Sequence, residues 1–174
     1  MDFETLINSP KEVIKEYLEE PKKLKEMGVN LSQLGELIKK AGESITYVED
    51  LEMEKLSNLL EYSIGEEEYS NYNEETINNF WVDLISDTGK AEEYLKNKEM
   101  MKDGFAAYII LAVGKSEEYM TPEKLTELGL EHECDAITEL IRATNNPEKY
   151  LFEGQDIHDR FNITNIIKGT GKIE

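Results

Sequence analysis

Cysteine is nearly absent. Cys134 stands alone among 174 residues, so no disulfide can close within the chain, and a reducing, cytoplasmic setting is expected. Proline occurs four times and glycine eleven, too few for disorder over most of the length. The opening Met1-Asp-Phe-Glu-Thr-Leu6 has neither a basic start nor a signal-type apolar run. The longest apolar stretch is Phe105–Val113. A membrane-spanning helix needs about 20 such residues, so the stretch predicts a buried helix segment and no membrane contact.

Chemistry-bearing motifs are equally scarce. The histidines are His132 and His158, and neither lies in a recognisable nucleophile context. His132-Glu-Cys-Asp135 gathers four ligand types, but adjacent residues on a helix point apart. His132 and Asp135 could share a face, and His158-Asp159 could join them. No calcium loop, glycine-rich phosphate loop or dinucleotide fingerprint is present. Thr170-Gly171-Lys172 lacks the upstream glycine that a phosphate loop needs. No catalytic residue, metal or cofactor is expected, and the chain reads as a non-enzyme.

Positive charge is the last shortage. Nineteen bases face 38 acids, a net charge of −19. Such a surface disfavours direct contact with nucleic acid or anionic membrane and favours a basic partner. The imbalance is local. Residues 1–42 carry eight acids and seven bases, whereas residues 43–75 carry eleven acids and the single base Lys55. Glu49, Asp50, Glu52, Glu54, Glu61, Glu66, Glu67, Glu68, Glu74 and Glu75 are therefore the candidate partner-binding residues.

What the chain does have is a recurring phrase. It reads Gly42-Glu-Ser-Ile-Thr-Tyr47, Gly89-Lys-Ala-Glu-Glu-Tyr94, Gly114-Lys-Ser-Glu-Glu-Tyr119 and Asn145-Asn-Pro-Glu-Lys-Tyr150. A fainter copy starts at Gly65, with its tyrosine one residue early at Tyr69, and a clipped copy starts at Gly171. Successive starts lie 23, 24, 25, 31 and 26 residues apart. A period in that range marks a repeat array. Five and four residues before the starts stand Leu37-Ile38, Leu84-Ile85, Ile109-Ile110, Leu140-Ile141 and Ile166-Ile167. The Gly65 copy breaks the rule with Leu60-Glu61, so residues 43–88 also read as one longer, irregular unit.

Each phrase reads as helix punctuation. The glycine or asparagine ends one helix. The acidic residues open the next, at the positive end of its dipole. The tyrosine packs its ring inward with the hydroxyl at the rim. Ser9-Pro10-Lys11-Glu12 predicts an N-cap serine with proline at the first helical position, and Thr121-Pro122 and Asn146-Pro147 follow the same logic. Val13, Ile14, Tyr17 and Leu18 form a helical stripe that Pro21 should end or bend. Leu31, Leu34, Leu37 and Ile38 form another, stopped by Gly42. Phe80–Ile85, with the lone Trp81, reads as a buried helical segment, and Ile45–Val48 is β-prone but short.

The expected fold is all-α: a short right-handed-type stack of helical hairpins, an α-solenoid with a period of about 24–31 residues. A single domain over 1–174 would hold units at approximately 1–41, 42–64, 65–88, 89–113, 114–144 and 145–174. Tetratricopeptide and ankyrin units are longer, about 33–34 residues, and carry signatures this chain lacks. The expected function is a non-enzymatic protein–protein interaction module that binds a basic protein surface through one face of the stack. The alternative is an acidic DNA mimic that inhibits a nucleic-acid-binding protein in defence or counter-defence.

Overall fold

The computed structural model describes residues 1–50, 53–101, 105–130, 134–144 and 146–150. All regular structure among them is helical, with no strand. The chain divides into two compact units, Met1–Gly89 and Lys90–Glu174. The first contains α1 (Phe3–Ile7), α2 (Lys11–Glu19), α3 (Pro21–Met27), α4 (Leu31–Ala41), α5 (Ser44–Val48), α6 (Glu54–Ser63), α7 (Glu66–Ser70) and α8 (Glu74–Asp87). The second contains α9 (Ala91–Tyr94), α10 (Phe105–Val113), α11 (Ser116–Tyr119), α12 (Pro122–Glu127), α13 (Cys134–Ala143) and a 3-10 helix (Pro147–Tyr150). None of the helices is long and apolar enough to cross a membrane, among the described residues.

Apolar spacing decides the first unit. Leu31, Leu34, Leu37 and Ile38 are fully buried, and α4 packs against α1, α2 and α8. Burying each such side chain contributes about 1.5–3 kcal/mol. A Cβ on Gly35 would lie 3.3 Å from the Phe80 ring, so the glycine lets α4 and α8 approach closely. Polar ties flank this contact. Lys39 Nζ sits 2.8 Å from Asp83 of α8, and Ser44 Oγ donates to the Asp87 carboxylate at 2.6 Å. Ile14 and Leu18 are buried from α2, and Pro21 opens α3 after the break at Glu20. Phe80, Trp81, Leu84 and Ile85 are buried from α8, as the apolar run predicts. Within that run Val82 is half-buried and Asp83 is exposed.

In the second unit, α10 packs against α9, α11 and α13. Ala106, Ile110, Met120, Leu125, Leu130, Ile137, Leu140 and Ile141 form its core. Tyr119 and Tyr150 pack partly buried against that cluster. Thr121 caps α12 by accepting from Lys124 N at 3.2 Å, with Pro122 inside the first turn.

The phrase marks one recurring local turn. Gly42, Gly89 and Gly114 have φ of 72°, 68° and 76°, and each precedes a helix of four or five residues. Leu37-Ile38, Leu84-Ile85, Ile109-Ile110 and Leu140-Ile141 are all at 0% exposure. Thr88 and Thr144 hydroxyls donate to the carbonyls of Ile85 and Ile141, each at 2.6 Å. The Gly65 copy differs in backbone as well as sequence. Its φ of 92° and ψ of 146° lie outside the left-handed helical well, in a region open essentially to glycine alone.

Several expectations need correction. Pro10, not Ser9, is the N-cap of α2, and the helix starts at Lys11 with no side-chain cap. Ser9 Oγ instead donates back to the Thr5 carbonyl at 2.8 Å, because α1 ends close by. The true capping box is Asn30 with Gln33, at 2.9 and 3.0 Å. Ile45–Val48, too short for a strand, is helical inside α5, in line with the helix expected at Tyr47-Val48. Among the described residues, two helices fall in each of 42–64, 65–88 and 89–113, but four in 1–41 and three in 114–144. Asn145, Ile166-Ile167, Gly171, His132 and His158 lie outside the described residues.

Candidate functional site

Most of the candidate carboxylates occupy helix starts. Glu54 begins α6, Glu66, Glu67 and Glu68 form the first turn of α7, and Glu74 and Glu75 open α8 after the Asn73 cap. There a carboxylate lies toward the positive end of the helix dipole, which stabilises a helix by about 0.3–1 kcal/mol. All six are exposed. Their placement serves the helices, while the exposed carboxylates also face solvent. The second unit uses the same device, with Glu92 and Glu93 opening α9 and Glu117 and Glu118 opening α11.

The difference lies in the counter-charges. Lys115 Nζ approaches Glu92 to 3.3 Å, and that contact raises the Lys115 pKa. Lys90 lies 5.9 Å from the Tyr94 ring centroid. Neither Glu66, Glu67, Glu68 nor Glu75 forms an ion pair among the described residues.

The other candidates separate from this group. Asp50 is partly buried and its carboxylate accepts from Lys55 N at 2.8 Å, fixing the start of α6. Glu61 shares a surface notch with Lys22, Lys25, Glu26 and Tyr62. Glu49 is exposed at the end of α5, and Glu52 lies outside the described residues. The structure thus brings Glu66, Glu67 and Glu68 together on one short helix, with Glu74 and Glu75 at the next helix start, and sets Asp50 and Glu61 to other tasks.

A groove of about 470 Å³ opens in the first unit, which sequence reasoning missed. It is lined by Lys15, Leu18, Glu19, Pro21, Glu43, Thr46, Tyr47, Lys55, Asn58 and Leu59, from α2, α3, α5, α6 and the N-cap of α5. Lys15 and Glu43 form a close ion pair. That hydrogen bond holds the Glu43 carboxyl below its usual range, and Thr46 adds a second. Burial raises the Tyr47 pKa to about 12, aided by the Glu43 and Glu19 charges. Its phenol is therefore neutral at physiological pH. The available signal was Lys55 itself, the lone base among eleven acids in residues 43–75.

Among the described residues, no group of three or more His, Cys, Asp or Glu side chains is placed to hold a metal ion. No protein-family model, curated protein or solved structure matches the chain.

Proposed function

We propose that the chain is a non-enzymatic binding module of helical-repeat type, acting in a reducing, cytoplasmic setting. It docks a basic protein surface through the acidic stretch around α7 and the start of α8. The carrying observation is that Glu66, Glu67 and Glu68 are exposed on consecutive positions without ion pairs among the described residues. The recurring turn at Gly42, Gly89 and Gly114, with its buried aliphatic pair, supports the repeat reading. Such arrays offer long surfaces for partners, and exposed acids promote encounter with a basic surface.

A second reading follows from the same carboxylates. Groups clustered at successive helix starts could occupy a basic groove meant for nucleic-acid phosphates, making the chain a DNA mimic. Pull-down from a lysate at low and high salt, with and without competing duplex DNA, separates the two. A salt-released partner displaced by DNA favours mimicry, and a salt-released partner indifferent to DNA favours the docking module. Capture that persists at high salt counts against both.

A further inference from the structure

We propose that the groove of the first unit is a binding site for an α-carboxylate with an adjacent apolar side chain, carried by a free amino acid or by a peptide C-terminus. The inference is independent of whether the acidic surface binds a partner.

The candidate donors come from α5 and α6. Lys55 is the one base in residues 43–75, yet its ammonium makes no ion pair among the described residues. It lines the groove, where its charge also helps to hold the Glu43 carboxyl below its usual range. Lys15 and Thr46 are both committed to Glu43, so Lys55 is the groove's available cation. Tyr47 and Asn58, which carry neutral donors, also line the groove. A carboxylate can accept from all three groups, and charge-assisted hydrogen bonds are the stronger kind.

Leu18, Pro21 and Leu59 supply apolar lining for a side chain. Leu18 and Leu59 are themselves nearly buried, so the apolar wall is backed by the core. The charge balance narrows the ligand further. Two lysines and two glutamates line the groove, and one lysine is already paired. That leaves Lys55 and Glu19 as one charge of each sign, a balance that disfavours a phosphate dianion. Glu19 is the carboxylate that can receive an ammonium if the ligand carries one.

The backbone just before α6, outside the groove lining itself, is also unusual. Met53, the residue that caps α6, has φ of +53°, and it is the one non-glycine residue with positive φ among those described. Such strain gathers at functional positions. Here it sits two residues before Lys55, whose N–H is fixed by Asp50.

The test is an amide chemical-shift titration of the full chain with N-acetyl-leucine, N-acetyl-leucinamide and leucine. N-acetyl-leucine should saturate shifts at Tyr47, Lys55 and Asn58 with Kd near about 1 mM, and its amide should bind about tenfold more weakly. Lys55→Gln should lose about the same factor, and Tyr47→Phe should weaken binding less, while Lys22→Gln leaves it unchanged. Leucine binding more tightly than N-acetyl-leucine assigns the site to free amino acids through Glu19; weaker binding assigns it to peptide C-termini. The proposal is overturned by an absence of saturable shifts, by equal binding of acid and amide, or by unchanged binding in a folded Lys55→Gln protein.

Discussion

The turns at Gly65 and Gly114 begin with similar letters and end with different commitments. At Gly114 the preceding Ile109 and Ile110 are fully buried, the glycine is in the left-handed well, and Ser116 is buried behind it. At Gly65 the equivalent pair is half-buried Leu60 and exposed Glu61, and α7 buries no residue. A lysine follows Gly114 and pairs with Glu92, whereas Glu66 follows Gly65. One turn serves the core; the other presents charge. Where packing releases a repeat position, the side chain becomes available for a surface task.

Core substitutions should separate the two turns most strongly. Ile110→Ala should cost about 2–5 kcal/mol by chemical denaturation, whereas Glu61→Ala should stay within about 0.5 kcal/mol. Comparable losses would show that the faint copy packs like the full one. The glycines should then rank in the opposite order. Gly65→Ala forces an alanine into a nearly glycine-only region and should cost about 2–3 kcal/mol, against about 1–2 kcal/mol for Gly114→Ala in the left-handed well. A smaller loss at Gly65 would mean its backbone relaxes into an ordinary turn.

The smallest effect is a titration. Tyr47 has its pKa raised from 10.0 to about 12 in the folded chain. Its neutral form is favoured by folding, so this contribution is complete below about pH 10 and is lost as pH rises toward 12. Denaturation midpoints measured from pH 9 to 12 should fall less steeply in Tyr47→Phe than in the parent. The Glu43 carboxyl runs the other way. Its pKa is lowered, so its contribution is present above the ordinary carboxylate range and fades as pH falls through it.

Much of the helical punctuation was legible in the sequence because it depends on neighbours. Gly42, Thr121-Pro122 and Pro21 act within one turn of chain, and the buried Leu/Ile-Ile pairs follow from helical spacing. Ser9 misled because its hydroxyl had two local partners available, and the end of α1 lies within its reach. The groove was not legible. It needs Lys15, Tyr47 and Lys55 from different helices, and no periodic pattern relates them. The acidic candidates were legible as charge but not as roles, since only geometry separates Asp50, which fixes α6, from the exposed Glu66, Glu67 and Glu68.

The most direct measurement compares charge reversal at the two turns. Glu66→Lys, Glu67→Lys and Glu68→Lys in one protein, and Glu117→Lys with Glu118→Lys in another, reverse the first-turn acids of α7 and α11. Both should lose a little helix stability. Partner capture at low salt should fall at least about tenfold for the α7 variant and stay near the parent level for the α11 variant. Equal capture by both, or equal loss from both, would contradict the claim that the departure from the repeat at Gly65 marks the docking surface.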